Sequence, residues 1–338
     1  MIIAAKKIRD GELVAFPTET VYGLGADASN NEAAKKIYKA KGRPSNNPLI
    51  VHVADIESAK KIAVFNERAE VLAEKFWPGP LTFVLPIKDG AELASTVTAG
   101  LSTVAVRMPS HKIALDLIRN SGCNIAAPSA NISGYISPTT ASHVREAFGD
   151  DLYILEGEGS EYGLESTIVD LSSNEVIILR YGFITPDSIA EALGVETDDN
   201  YCHPGPASVS KAQILDPDYN APLSGSLFYL DSYLRRNNKE PGQCRAPGTM
   251  YKHYSPKASM RINATYLMED EKGIGFGDID FGELNLSKAG LLEEAAKNLY
   301  NMMHILDSMK DTKKIAVAPI PQEGIGLAIN DRLKRACS

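Results

Sequence analysis

Between Leu13 and Gly194 short apolar runs alternate with amphipathic stretches, the pattern of a mixed α/β domain. Runs rich in aliphatic and β-branched residues predict strands at Leu49 to Val53, Leu81 to Leu85, Val104 to Met108, Ile125 to Ala127, Tyr153 to Leu155, Thr167 to Leu171 and Val176 to Leu179. Ser29-Asn30-Asn31-Glu32 reads as a capping box ahead of Ala33, Ala34, Ile37 and Ala40, and Gly42 closes that helix. A second helix runs from Glu67 to Phe76 and stops at Pro78-Gly79-Pro80. After Gly194 prolines at 204, 206, 217, 222, 241, 247 and 256 interrupt almost every element, so residues 196–257 read as a linker with one small element near Leu227 to Leu234. Periodicity returns at Met260 to Leu267. Leu291 to Met309 then reads as a long helix, and Ile315 to Ala318 with Leu327 to Arg335 as strand, loop and helix. The expected division is 1–195, 196–257 and 258–338.

A length of 338 residues fits two domains, and 44% hydrophobic with 23% charged residues is ordinary for a folded chain. The net charge of −8 argues against coating nucleic acid by bulk charge and requires any polyanion site to be local. Cys123, Cys202, Cys244 and Cys337 lack zinc-ligand spacing and read as reduced thiols. Two early lysines leave no room for a signal-peptide core, and no apolar run approaches the roughly 18 residues of a membrane span. A cytoplasmic protein without a membrane partner is expected.

The candidate chemistry starts at Lys35 to Arg43, where Lys35, Lys36, Lys39, Lys41 and Arg43 occur without an acidic residue. Lys41-Gly42-Arg43-Pro44 places two cations at a helix-ending turn, which suits a polyphosphate; a solvated lysine face complementing the helix dipole explains the same residues. Pro128-Ser129-Ala130-Asn131 follows an apolar strand, either as a ligand loop of small polar groups or as a plain turn. Phe16 to Gly25 mixes hydroxyls with glycines in the same ambiguous way. His52 interrupts one strand, and Arg107 ends another, where burial would demand an anion from the protein or a substrate. There is no G-x-x-x-x-G-K-[ST], H-E-x-x-H or G-x-S-x-G, and Gly273-x-Gly275-x-Gly277 reads as turns.

In this order the segments Pro17-Thr18-Glu19-Thr20-Val21-Tyr22-Gly23-Leu24, Lys41-x-Arg43-Pro44 with Asn47-Pro48-Leu49, Trp77-Pro78-Gly79-Pro80-Leu81-Thr82 and Val106-Arg107-Met108-Pro109 resemble the YrdC-like family. So do Ala127-Pro128-Ser129-Ala130-Asn131, Glu165 to Asp170 and Leu179-Arg180-x-Gly182. A tail through Ala246-Pro247-Gly248, Tyr251 to Pro256 and Asn330-Asp331-Arg332-Leu333 resembles that of the two-domain threonylcarbamoyl-AMP synthase form. The resemblance implies a twisted mixed sheet with flanking helices and a concave nucleotide site, plus a smaller Rossmann-like α/β domain. It implies formation of L-threonylcarbamoyladenylate and diphosphate from L-threonine, bicarbonate and ATP, with Mg²⁺ accompanying the nucleotide.

Carried over by position, the resemblance implies that Lys41, Arg43, Ser129 and Asn131 form a catalytic tetrad around the triphosphate, with Asn47, Thr103, Ser137, Arg180 and Tyr254 as further ATP contacts. Thr20, His52, Arg107, Ala127 and Thr167 match threonine-side positions, and no residue is named as a metal ligand. The adenylate would pass to a downstream threonylcarbamoyl-transferase machinery, so tRNA is met only indirectly. Two rivals are an RNA-binding module without adenylate formation and a carbamoyl-phosphate enzyme. The first conflicts with the net charge and the lack of basic-aromatic interleaving, the second with the absence of paired cysteine zinc sites.

Overall fold

Valine, isoleucine, leucine and phenylalanine supply most of the buried sheet positions, as expected where both faces of a sheet are covered. A computed structural model describes residues 1–195, 213–215, 222–224, 227–229, 253–282 and 284–337. The strands of the large sheet are β1 (Val14–Phe16), β2 (Gly23–Asp27), β3 (Ile50–His52), β4 (Leu81–Pro86), β5 (Thr103–Arg107), β6 (Ile125–Ala126), β7 (Tyr153–Ile154), β8 (Thr167–Asp170) and β9 (Val176–Arg180). Three short strands follow, β10 (Gln213–Leu215), β11 (Pro222–Ser224) and β12 (Leu227–Tyr229). Among the described residues β10 pairs with β11, whereas β12 adds a parallel edge to β9, giving the order β12-β9-β8-β4-β5-β3-β6-β2-β1-β7. The sheet is mixed, with β3 parallel to β5 and β4 antiparallel to β5. The expected linker thus contains three strands; Cys202, Cys244 and most of the proline-rich stretch lie outside the described residues.

Within the first unit the periodicity does not predict β1 and β2. Gly23-Leu-Gly-Ala-Asp has weak strand propensity, but Phe16 and Ile125 occupy the space beside Gly25, where a Cβ would lie 2.7 Å and 2.8 Å from them. Packing therefore selects glycine in a strand that propensity alone disfavours. The helix Asn31–Lys41 is capped one residue later than expected: Asn30 Oδ1 accepts from the Glu32 and Ala33 amides, while Ser29 donates to Asp27. Gly42 closes that helix at φ 62°.

The C-terminal unit has its own parallel sheet, β13 (Ser259–Arg261), β14 (Glu271–Ile274) and β15 (Lys314–Val317), in the order β13-β15-β14. Gly273 lies inside β14 under Phe281, so the glycine triplet is strand as well as turn. Helices Leu292–Ser308 and Gly326–Ala336 pack on this sheet. Its apolar cluster also contains Val21, Ile136 and Leu164, which come from the first unit. Gly163, at φ 70°, makes the approach possible, because a Cβ there would lie 2.5 Å from the Lys297 Cα. No helix among the described residues is long and apolar enough to cross a membrane.

The interface also stacks two imidazoles, His143 and His304, at 3.9 Å between ring centroids. His304 Nε2 lies 3.2 Å from the Ser137 carbonyl, and the Thr139 amide donates to His143 Nδ1 at 3.3 Å. Burial, then the neighbouring His304, brings His143 from 6.5 down to about 3. Burial likewise lowers His52 and His253 to about 3. Each is neutral when folded and takes up a proton on unfolding below 6.5, so its contribution is full above that pH and lost as pH falls towards 3. Carboxylates with lowered values lose theirs only below their ordinary 4.5. We expect the melting temperature to hold near neutrality and to fall between about pH 6.5 and 4.5, less steeply in His143→Phe. An equal slope in that variant would remove His143 from the account.

Candidate active site

Elements distant in sequence end around one cavity. Its walls are Thr18, Thr20, Val21, Tyr22 and Gly23, Arg43, Ile50 and His52, Arg107, Ala127, Pro128 and Ser129, Glu165, Ser166 and Arg180, with His253 and Tyr254. His52 and Arg107 meet because they are register partners at the ends of the parallel pair β3 and β5. Arg180 ends β9 opposite Ile168 of β8, whose leading loop carries Glu165 and Ser166.

The Arg43 guanidinium is buried, which the reading of a solvated basic face does not provide for. Its Nε donates to the Asn47 carbonyl at 3.1 Å, and its Nη2 donates to Asn47 Oδ1 at 2.5 Å and to the Pro48 carbonyl at 2.8 Å. Lys41 is also buried, and its Nζ donates to the carbonyls of Ser129 and Asn131 at 2.6 Å and 2.5 Å. The two readings of the lysine-rich helix therefore divide by residue: Lys35 pairs with Glu32 in solvent, while Lys41 ties the helix end to the Ser-Ala-Asn loop. Burial, then the charge of Arg43, pushes Lys41 well below the ordinary lysine range. Asn131 Nδ2 donates to the carbonyls of Ile132 and Tyr135, closing the loop on itself.

On the other side Arg107 has a protein anion. Its Nη2 lies 2.6 Å from Glu19 Oε1, its Nη1 donates to Thr20 Oγ1 at 3.0 Å, and its Nε donates to the Gly79 carbonyl at 3.1 Å. Burial would raise Glu19, but Arg107 and the Ser110 amide outweigh it and leave the carboxyl below its ordinary value. Glu19 Oε2 and His52 Nδ1 are buried without a hydrogen-bond partner among the described residues. Such groups carry a desolvation cost that a bound polar ligand can offset.

Of the positions expected from sequence, Thr20, Arg43, His52, Arg107, Ala127, Ser129, Arg180 and Tyr254 line the cavity. Lys41, Asn47 and Asn131 stand behind its wall through the bonds just given, and Ser137 does so by donating to Glu165 Oε1 at 2.5 Å. Thr167 Oγ1 donates to the Ile184 carbonyl and lies outside the lining. Thr103 begins β5 and Arg107 ends it, so four residues of strand, roughly 13 Å, separate Thr103 from the cavity-lining arginine. Glu165, Ser166 and His253 line the cavity although the sequence assigns them no role, and Glu19 joins them through its ion pair with Arg107.

Glu165 is the most connected of these. Its Oε2 accepts from Tyr300 Oη at 3.0 Å and from Arg332 Nε at 2.9 Å, both in the C-terminal unit. Burial alone would raise it, but Arg332, Arg180 and the Ser137 hydroxyl hold its carboxyl down at about 2. The loop is placed by Gly182, where a Cβ would sit 2.6 Å from the Glu165 carbonyl oxygen and 2.3 Å from the Thr167 amide nitrogen. Gly182→Ala is therefore expected to displace that loop and lower thermal stability, as measured by melting. An unchanged melting temperature would show that the loop accommodates the added methyl group.

Residues 6–182 match the Sua5/YciO/YrdC family described as "Telomere recombination", and residues 226–338 match "Threonylcarbamoyl-AMP synthase, C-terminal domain". The chain is 38% identical to the threonylcarbamoyl-AMP synthase of Bacillus subtilis (strain 168), over 98% of this chain and 91% of the relative. It is 34% identical to the shorter threonylcarbamoyl-AMP synthase of Chromobacterium violaceum, over 52% of this chain and 90% of that one. The crystal structure of Pyrococcus abyssi Sua5 complexed with L-threonine superposes with a TM-score of 0.79 at 35% identity, covering 99% of this chain and 93% of that one.

Proposed function

The chain belongs to the Sua5/YrdC family of threonylcarbamoyl-AMP synthases, and we propose that its cavity joins L-threonine, bicarbonate and ATP into L-threonylcarbamoyladenylate with release of diphosphate. The observation that carries this reading is a single cavity with two differently equipped sides. Arg43, Ser129 and Arg180 supply cations and a hydroxyl suited to a triphosphate, while Thr20, His52, Arg107 and Ala127 surround a compartment suited to an amino acid. Lys41, Asn47, Asn131 and Ser137 hold the phosphate side in place, and Tyr254 with His253 covers it.

The amine of threonine attacks bicarbonate, water leaves, and a carbamate forms. A carbamate oxygen then attacks the α-phosphorus in line while the bond to the bridging oxygen breaks and its electron pair leaves with diphosphate. Two anions must be brought together as charge builds on the leaving group, so fixed cations and aligned donors perform most of the work. The chemistry requires no covalent nucleophile. AMP transfer makes the enzyme a nucleotidyltransferase.

Mg²⁺ is proposed to arrive with the nucleotide. Both Glu165 oxygens are already engaged, and the described residues contain no cluster of three metal-ligating side chains, which fits a cation held chiefly by phosphates and water. The adenylate would pass in the cytoplasm to a threonylcarbamoyl transferase acting on tRNA.

ATP, bicarbonate and single amino acids supplied to the protein should give diphosphate only with threonine, and weakly with serine. Losing one methyl contact changes discrimination by about 1–3 kcal/mol. Formation of ADP and phosphate, or equal rates with serine, would refute the reaction or the substrate respectively.

A further inference from the structure

A cavity that takes a triphosphate has a buried carboxylate in its wall, Glu165, and the cation answering it comes from the other end of the chain. Arg332, in the last helix, is 1% exposed. Its Nε donates to Glu165 Oε2 at 2.9 Å, its Nη1 to Asp331 Oδ2 at 2.8 Å and its Nη2 to the Tyr181 carbonyl at 2.7 Å. Its guanidinium also lies 5.2 Å from the ring centroid of Tyr254, which itself stacks near Tyr300. Asp331 is held in turn by Arg335 Nε. Every nitrogen of the Arg332 fork is thus directed, and its two cavity-facing neighbours are Glu165 and Tyr254.

Resting on the adenylate-forming reading, we propose that Arg332 is a positioning residue for the nucleotide: it neutralises and orients Glu165 and braces Tyr254 against the phosphate side. Without that charge Glu165 is a buried anion beside Lys41, Arg180 and the incoming phosphates, competing with them for the same cations. The C-terminal unit then contributes to ATP affinity without touching ATP through this residue.

The test is direct ATP titration and diphosphate release with the full chain, comparing Arg332→Gln, Glu165→Gln and the double variant, with circular dichroism to check folding. Arg332→Gln should weaken ATP binding by at least about 30-fold and change the KM for threonine less. Glu165→Gln in that background should recover at least about ten-fold, since the uncompensated anion is gone. A merely structural arginine predicts a double variant no better than the single one. Unchanged ATP affinity in Arg332→Gln, or no recovery in the double variant, overturns the inference. If Arg332→Gln does not fold, Arg332→Met with and without Glu165→Gln gives the same comparison, because an unbranched apolar side chain fills the space while removing the charge. Wild-type protein lacking threonine-dependent diphosphate release would instead refute the activity, so the two failures are distinguishable.

Discussion

Arg43→Ala should lower kcat/KM for ATP on the order of 100-fold or more, about 3 kcal/mol of lost transition-state stabilisation. Arg43 lines the cavity with a guanidinium fixed by Asn47 and Pro48, so its charge is in place before substrate arrives. That preorganisation makes the loss large, and burial means that it is not confined to catalysis. Removing the donor takes one hydrogen bond each from the Asn47 carbonyl, Asn47 Oδ1 and the Pro48 carbonyl, at about 1–3 kcal/mol of stability. Melting should therefore shift downward by a few degrees (~2–4 °C per kcal/mol at this domain size). Arg43→Lys should recover part of the activity, since one ammonium cannot donate along both Nε and Nη2 directions. Diphosphate release and thermal melts of the three proteins check this. Near-wild-type turnover in Arg43→Ala would move the phosphate site elsewhere.

The unexpected burial of Arg43 and Lys41 shows where sequence reading stops. Helix, cap and turn at Asn30 to Gly42 are local features, and their signals are legible within a dozen residues. That Lys41 leaves the solvated face depends on carbonyls 88 and 90 residues later, which no helical period encodes. Arg107 carried a usable signal, because a buried strand-end arginine must find an anion; that the anion is Glu19 depends on tertiary placement. The Glu165–Arg332 pair spans 167 residues, and both residues lay in segments already noted for resemblance. What was missing there was the contact between the two units. Thr103 is a different case: nothing local marks it, and its assignment, at the start of β5 on the same strand face as Arg107, comes from the resemblance alone.

Cutting the chain after residue 195 should leave a folded first unit with ATP affinity reduced by at least about 30-fold and with greater loss of the adenylate to hydrolysis. Folding is expected because every strand of the large sheet except the edge β12 precedes the cut, and the shorter Chromobacterium relative spans a similar length. Affinity should fall for three separable reasons. His253 and Tyr254 leave the cavity wall and open it to water, which weakens the remaining electrostatic contacts. Val21, Ile136 and Leu164 lose their apolar cover, so the segments bearing Thr20 and Ser137 become less fixed. Glu165 loses both Tyr300 and Arg332 while remaining beside the phosphate cations. The first two defects need the missing chain, but the third is a charge on the part that remains. Glu165→Gln should consequently strengthen ATP binding in the truncated protein while weakening or barely altering it in the full chain. That opposite response, read by titrating ATP into all four proteins, separates an electrostatic contribution of the C-terminal unit from simple coverage. If the truncated protein keeps the full chain's affinity and threonine coupling, residues 196–338 must serve another purpose, such as docking the protein that receives the adenylate.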